Sequence, residues 1–349
     1  MPRTAEGEGA VAAVLNGARV GGARVLERAG YLVDCATSML VTESRSPHGV
    51  AVYFHGVTVP PEDGSVDPQE RVTPGFLRAF IRAMKARGYQ FTTPDALLTG
   101  SVPAGNVALL TSDDGYASVE RLLPVLEEEA APLTLFVCAA YAKTGAVYWW
   151  DQLYMAGRSS SPARSLLKHG VRSRSERDAA LDRLGLNPSA RASRPGHRVL
   201  TPDDIGRLGR HPSVRFGNHS GNHLSLPLLA DDELVEEVEG AGRDLQAWSA
   251  VAAPHFAFPY GDYDDRTLEV LARAGYRTAF TTEPGHFPLP VPLGPHGMRV
   301  IPRYQLRGDR SPHWQARLMS RGCTAGATLR VRAVRWLKPR LDLGGVGRG

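Results

Sequence analysis

The amino-acid sequence predicts an α/β domain built on a largely parallel sheet. Short apolar runs of strand length alternate along the chain with amphipathic segments of helical period. This alternation is typical of βα units, whose strands pair in parallel. Polar residues also follow the ends of several predicted strands, and active sites in parallel α/β folds collect at the carboxyl ends of the strands. The sequence therefore predicts a fold class and also the edge of the sheet that carries the chemistry.

Six apolar runs predict the strands. Each run is too short for a helix of ordinary length and is bounded by polar or turn-forming residues, as strands buried in a parallel sheet are. The runs cover residues 50–54, 107–111, 133–137, 214–216, 255–258 and 278–281.

Capping residues and helical spacing predict the helices between these strands. Thr73-Pro74 opens a helix that ends near Gly88, and Thr201-Pro202-Asp203-Asp204 opens another, with Thr at the cap and Pro in the first turn. Further helices are predicted over residues 9–30, 119–129, 175–184, 231–248 and 264–274.

The chain divides into a central domain and two extensions. Residues 1–44 are predicted to form an N-terminal helical extension, and residues 45–305 the α/β domain. Within this domain, residues 157–198 hold ten Arg or Lys against three Asp or Glu, which indicates an inserted segment over the mouth of the sheet or a mobile loop. Residues 306–349 form a basic tail.

Composition narrows the protein class. The 349 residues are 42% apolar and contain no apolar window long enough to span a membrane. The N-terminus carries Glu6, Glu8 and Glu27 and lacks the apolar core of a secretory signal. Three widely spaced cysteines make a disulfide framework unexpected. We therefore expect a cytoplasmic protein.

Asp113-Asp114-Gly115 directly follows the second predicted strand. Asp-Gly is also ordinary turn chemistry, so the motif alone does not establish a site. Neighbouring side chains on a regular strand point to opposite faces. Both carboxylates can enter one pocket only where the strand breaks, and Gly115 supplies such a break.

His219 and His223 form the second candidate motif. Pairs at this spacing also arise by chance in a chain with eleven histidines. On one helical turn the two imidazoles would share a face and could bind a single ion. Their neighbours Asn218, Ser220 and Asn222 are polar, whereas core histidines would more naturally have apolar neighbours.

Together the two motifs predict a metal-dependent hydrolase. One carboxylate and two imidazoles commonly hold a catalytic zinc with one coordination position open. The second carboxylate is then free to act as a base on metal-bound water.

The order of the motifs resembles the polysaccharide deacetylase family, also called the NodB-homology or carbohydrate esterase 4 family. Thr111-Ser112-Asp113-Asp114-Gly115 resembles its Thr-Phe-Asp-Asp-Gly motif, and His219-Ser220-Gly221-Asn222-His223 its His-Ser/Thr-x-x-His motif. Three further segments resemble the family, and the similarity spans roughly residues 45–305. These segments are Phe256-Ala257-Phe258-Pro259-Tyr260-Gly261, Tyr148-Trp149-Trp150-Asp151 and Val52-Tyr53-Phe54-His55.

The resemblance implies a distorted (β/α) barrel that removes acetyl groups from N-acetylated sugars. It implies Asp113 as the general base and Asp114, His219 and His223 as ligands of a divalent metal ion, with zinc expected. The backbone N–H of Tyr260 would stabilise the oxyanion together with the metal.

The sequence departs from the family at three places. Ser112 replaces the usual Phe, and Ala257 stands where many members carry an Arg that steadies the catalytic Asp. The family's late Leu-x-His motif, which supplies the general acid, has no clear counterpart. His55, His286 and His296 are candidate substitutes.

These departures keep alternatives open. The first hypothesis is an N-deacetylase acting on an N-acetylated amino sugar or glycoconjugate. The second is a hydrolase of another amide on the same barrel, and the third is a catalytically impaired, carbohydrate-binding relative.

Other residues are candidates for substrate or partner contacts. His55, Trp149, Trp150 and Pro259 are candidate substrate-binding residues, although the two Trp side chains could equally be packed in the core. The basic tail allows peripheral contact with an anionic membrane, whereas a solvated basic end is the alternative. We expect no nucleic-acid partner, and the sequence does not indicate an oligomeric state.

Overall fold

A ten-stranded sheet forms the framework of the protein. The computed structural model describes residues 46–58, 70–159, 162–192, 194–249 and 254–322. The described strands are β1 (His48–Phe54), β2 (Gly56–Val57), β3 (Arg71–Val72), β4 (Tyr89–Thr92), β5 (Asn106–Ser112), β6 (Leu133–Val137), β7 (Val214–Asn218), β8 (His255–Ala257), β9 (Thr278–Phe280), β10 (His286–Pro288), β11 (Arg299–Ile301) and β12 (Arg303–Gln305).

The strands follow one another in parallel around a nearly closed barrel. The sheet order is β10-β1-β5-β6-β7-β8-β9-β11, with β4 on β5 and β12 on β1. All pairings are parallel except that of β10 with β1. β11 pairs with β9 whereas β12 pairs with β1, and only Pro302 separates them, so this stretch links the two ends of the sheet. The predicted distorted (β/α) barrel is confirmed.

Helices occupy the segments between the strands. The described α-helices are α1 (Pro74–Lys85), α2 (Pro94–Thr99), α3 (Leu123–Glu128), α4 (Ala139–Thr144), α5 (Trp149–Met155), α6 (Pro162–His169), α7 (Arg174–Arg183), α8 (Pro202–Leu208), α9 (Asp231–Val235), α10 (Ala241–Ser249), α11 (Asp265–Arg273) and α12 (Pro312–Ser320). No described helix is long and apolar enough to cross a membrane.

Several elements differ from the sequence-based expectations. The helix predicted over residues 231–248 contains a π-helical stretch, Glu236–Gly240, between α9 and α10. The segment predicted as residues 119–129 begins as a 3₁₀ helix, Ala117–Leu122, before α3. The last strand was predicted at residues 278–281, yet β10, β11 and β12 follow it, because these short strands lack a long apolar run.

The compact unit that contains the barrel runs from Ser44 to Ser320. The domain boundaries predicted at residues 44 and 305 stay predictions. The basic segment 157–198 contains α6 and α7, the second close to the helix predicted at 175–184. Residues 1–44 and most of the predicted tail lie outside the described residues.

The barrel has a core on each side of its sheet. The interior cluster includes Leu109, Phe136, Phe280 and Ile301. The cluster between the sheet and the helices includes Val52, Leu110 and Leu135 from the strands and Leu77 and Phe80 from α1. Alternate strand residues thus face opposite sides, as the period of two requires.

α8 begins with a capping box, which leads to a stability prediction. The Asp204 carboxylate accepts hydrogen bonds from the Thr201 backbone N–H over 3.0 Å and from Arg198 over 2.6 Å. Burial opposes the charge, but the Thr201 and Arg contacts outweigh it and lower the pKa of Asp204 to about 2 from 3.8. The ionised carboxylate therefore stabilises the fold above pH 3.8, and this contribution is lost as the pH falls toward 2.

We expect Asp204→Asn to lower the free energy of unfolding by about 1 kcal/mol at neutral pH, a typical capping loss. The difference from the wild-type chain should shrink as the pH falls through 3.8 toward 2. Urea unfolding at several pH values measures it, with Asp203→Asn on the exposed side of the same turn as the control. A difference that stays constant with pH would contradict this role of the carboxylate.

Candidate active site

β5 carries Asp113 to the carboxyl end of the barrel. Val107 and Leu109 belong to the interior cluster, whereas the residues between and after them, Ala108 and Leu110, belong to the cluster under the helices. The same alternation places Asp113 on the interior face. Its backbone N–H donates to the Phe54 carbonyl at the end of β1 over 2.9 Å.

The backbone turns directly after Asp113. Asp114 has φ 71° and Gly115 has φ 69°, both in the left-handed region. A Cβ at position 115 would also lie 3.1 Å from a Val137 methyl group, so glycine suits both the conformation and the space. Asp113 and Asp114 are each 2% exposed. The break that the sequence predicted at Gly115 is present.

Arg303 holds the Asp113 carboxylate through a two-point ion pair. Its Nη1 donates to Oδ1 over 2.7 Å and its Nη2 to Oδ2 over 2.8 Å. The guanidinium also donates to the Thr111 hydroxyl and the Thr281 carbonyl, each over 3.0 Å, and lies over the Tyr53 ring. Together these contacts fix the buried guanidinium in place.

This arginine was not predicted from the sequence. The family resemblance places the residue that steadies Asp113 at position 257, where this chain has Ala257. The arginine comes instead from β12, a strand that the sequence did not predict. Pro302-Arg303-Tyr304 is the one available signal, since a buried strand that contains an arginine indicates an internal ion pair.

The ion pair sets the charge of Asp113. Burial alone would raise the pKa of this carboxyl, but the Arg303 guanidinium outweighs burial and lowers it, with His219 adding to the effect. Burial acts the same way on Asp114, and the neighbouring imidazoles of His219 and His223 hold its pKa well below the usual range. Both carboxylates are therefore ionised at neutral pH.

His219 and His223 converge through a loop rather than a helix. β7 ends at Asn218, and Ser220 and His223 adopt φ 66° and 55°. The helical turn considered for this pair is therefore wrong. The strained loop nevertheless aims both rings at Asp114, whose Oδ1 lies 3.5 Å from His219 Nε2 and 3.3 Å from His223 Nε2.

Further hydrogen bonds orient His219 and the loop that carries His223. His219 Nδ1 lies 2.7 Å from the Ala257 carbonyl, which turns Nε2 toward Asp114. The Glu237 carboxylate, in the π-helical stretch, accepts from the Asn222 backbone N–H over 2.7 Å and from its side-chain amide over 2.6 Å. Burial raises the pKa of Glu237.

The basic insertion also contacts the histidine loop. Arg177 of α7 donates to the Asn222 carbonyl over 2.9 Å and pairs with Asp178 over 2.8 Å. Its guanidinium lies over the Tyr141 ring, 5.8 Å from the centroid. At least this helix of the insertion is therefore part of the support of the site.

The donor set fits a divalent cation. Asp114 Oδ1 is buried and makes no hydrogen bond, although two imidazole nitrogens lie close to it. A buried carboxylate oxygen without a hydrogen bond is costly unless a cation faces it. A carboxylate and two imidazoles are zinc ligands. Among the described residues, Asp114, Cys138 and His219 form a group whose ligand atoms all lie within 4.8 Å of one another, and His223 is not a member of that group.

Pro259 and Tyr260 follow β8 at the same end of the barrel. Tyr260 has φ 59°, and the Tyr260 and His223 ring centroids are 4.5 Å apart. Gly261 has φ 72° and approaches Thr282 so closely that a Cβ would overlap its hydroxyl. The Tyr260 backbone is thus held in a strained conformation next to a candidate metal ligand.

The three candidate general acids lie in different places. His55 follows β1, 3.9 Å from Glu70, and its imidazole adds to the lowering of the Asp114 pKa after His219 and His223. His286 stacks on His48 and contacts the Met319 carbonyl at 2.6 Å. His296 pairs with the exposed Asp265. Of these three, only His55 contributes to the lowering of the pKa of both Asp113 and Asp114.

The paired tryptophans lie at the site but are largely covered. Trp149 is 3% and Trp150 is 8% exposed. Trp150 stacks on Tyr148, its ring centroid lies 4.7 Å from that of His223, and its indole N–H donates to the Tyr116 hydroxyl over 2.9 Å. The contact of either tryptophan with a sugar stays a prediction, whereas Trp150 packs against His223 and Trp149 packs against Trp150.

The chain is similar in sequence to a known protein family. The family model described as "Polysaccharide deacetylase" matches residues 101–279, just over half of the chain. The chain belongs to the polysaccharide deacetylase family. The matched segment contains both carboxylates, both histidines and Tyr260, so the family relationship covers the site as well as the fold.

A curated relative of this deacetylase-family chain shares only a fifth of its residues in the aligned segment. A putative polysaccharide deacetylase of Bacillus subtilis, YxkH, is 21% identical over 221 residues, which is 62% of this chain and 60% of the relative. The chain therefore spans about 60% of the length of that curated relative.

Solved structures support the fold. The Streptococcus pyogenes deacetylase PplD, solved in complex with acetate, superposes with TM-score 0.54 at 20% identity, covering 80% of this chain and 99% of that one. IcaB from Ammonifex degensii superposes with TM-score 0.52 at 18% identity, covering 80% and 100%. The barrel of this chain is thus shared with proteins of low sequence identity.

Proposed function

We propose that the protein is a metal-dependent hydrolase that removes the acetyl group from an N-acetylated amino sugar or glycoconjugate. The observation that carries the proposal is the pair Asp113 and Asp114, of which one is tied to Arg303 and the other faces two imidazoles. Because the two adjacent carboxylates have different partners, one can act as the base while the other binds the metal ion.

Asp114, His219 and His223 would hold the cation, and zinc suits this oxygen and nitrogen donor set. When bound, a divalent cation would polarise the amide carbonyl and lower the pKa of water near it. The buried Asp114 Oδ1, which has no hydrogen-bond partner, supports this assignment.

Asp113 would accept the proton from the attacking water. Its pKa is lowered by Arg303 against the effect of burial, so the carboxylate is ionised and ready to act as a base at neutral pH. The bidentate Arg303 contact keeps the carboxylate from turning toward the imidazoles. A base held in a fixed orientation contributes most to proton transfer.

The later steps would use His55 and the Tyr260 backbone. The attacking water forms a bond to the acetyl carbon, and the strained Tyr260 backbone would present its N–H to the developing oxyanion. The C–N bond then breaks, and His55 would donate a proton to the departing amine. Asp113 would then release its proton to solvent and His55 would regain one from solvent, so acetate and a free amino sugar result and both side chains return to their starting states.

The alternative of a non-catalytic, carbohydrate-binding relative now has less support. It rested on Ala257 in place of a steadying arginine and on the missing late histidine. Arg303 supplies the first group, and His55, whose charge adds to the lowering of the Asp114 pKa, is the candidate for the second.

The test is release of acetate from a panel of N-acetyl amino sugars, free and in oligosaccharides. We expect release by the chain as purified, loss after treatment with a chelator, and recovery on addition of zinc or cobalt. Release that is unaffected by chelation would overturn the metal-dependent mechanism. Sugar binding without any release would favour the binding relative instead.

A further inference from the structure

Cys138 lies next to two of the candidate metal ligands, Asp114 and His219. It follows β6, is fully buried, and its thiol donates to the His219 carbonyl over 3.1 Å. Its sulfur, a ring nitrogen of His219 and a carboxylate oxygen of Asp114 all lie within 4.8 Å of one another. The sequence alone did not predict a binding or catalytic role for this residue.

A second observation points to a ligand at the same place. Asp114 is 2% exposed, and its Oδ1 makes no hydrogen bond. The same carboxylate belongs to the group that it forms with His219 and Cys138, so an ion that satisfies it could also bind the Cys138 sulfur.

We propose that Cys138 is a further ligand of the metal ion, in addition to Asp114, His219 and His223. The inference rests on the proposed metal-dependent function and deepens it. Thiolate, imidazole and carboxylate are all zinc ligands, and one thiolate with one carboxylate neutralises a divalent ion. Zinc sites can expand from four to five ligands, which leaves a position for the substrate.

If Cys138 is a ligand, the site should prefer softer metal ions than a site with only oxygen and nitrogen ligands would. Thiolate ligands favour zinc, cobalt and cadmium over magnesium, calcium and manganese. On binding, the sulfur–metal bond forms, the S–H bond breaks, and the proton is released to solvent. No electron transfer is involved.

The decisive probe is Co²⁺ added to the full-length chain after its own metal has been removed. The chain contains three cysteines, so the double variant Cys35→Ser/Cys323→Ser leaves Cys138 as its single thiol. We expect this variant to bind one equivalent of Co²⁺ and to show the near-ultraviolet thiolate-to-cobalt absorption band. Adding Cys138→Ser should abolish the band and weaken cobalt binding by about tenfold or more.

The outcomes separate this inference from the proposed function. One equivalent of bound cobalt without the band, together with acetate release, would overturn the role of Cys138 and leave the deacetylase proposal standing. Absence of both cobalt binding and acetate release would overturn both. If Cys138→Ser does not fold, the spectrum of the double variant alone decides, because any thiolate band then comes from Cys138.

Discussion

Asp113→Asn is expected to lower kcat for acetate release by about 10²- to 10⁴-fold, the usual contribution of a positioned general base. Asparagine keeps the shape of the side chain but cannot accept a proton from water. None of the proposed ligands is changed, so the variant should still bind one equivalent of metal. Steady-state acetate release and metal content, measured on the same preparation, test both expectations.

The fold of this variant has to be verified, because the substituted asparagine would leave the buried Arg303 without a charge partner. Circular dichroism and thermal unfolding establish that the assay temperature lies below the transition. Asp265→Asn, which alters a carboxylate that is 79% exposed, is the matched control and should retain wild-type kcat. Wild-type turnover by Asp113→Asn would exclude Asp113 as the base.

Arg303→Met is expected to reduce the free energy of unfolding by about 3–5 kcal/mol, which is the usual effect of leaving one partner of a buried ion pair uncompensated. Asp113 would remain in the barrel interior, at 2% exposure, without its guanidinium. The desolvation that now opposes a lowered pKa would then dominate, so the Asp113 pKa should rise. Urea unfolding at neutral pH measures the stability loss.

A double-mutant cycle separates the ion pair from the packing of the Arg303 side chain. The double variant Asp113→Asn/Arg303→Met buries no unpaired charge and should be more stable than the sum of the single losses predicts. Arg243→Met, at a surface pair with Glu236 in which the side chains are 65% and 74% exposed, is the control and should change stability by less than about 1 kcal/mol. Simple additivity of the two buried changes would contradict the coupling.

The site could be assembled from the sequence only where its residues form local motifs. Asp113-Asp114-Gly115 and His219 to His223 were identified because each combines a predicted strand end with chemically informative side chains. The helical turn expected for the histidines was wrong, because the left-handed conformations of Ser220 and His223 depend on contacts made elsewhere. Glu237 and Asn222 supply such contacts, and their side chains meet only in the folded chain.

The alternation of strands and helices, the family and the end of the barrel at which the polar residues collect could all be inferred from the amino-acid sequence. Apolar periodicity and strand-end position are local properties, so they can be read without coordinates. The partner of Asp113 could be known only from the folded chain, since Arg303 and Asp113 are 190 positions apart and meet because β12 closes the barrel onto β1. Folding also brings Cys138 close to Asp114 and His219, because strand pairing and not sequence spacing sets distances across a barrel.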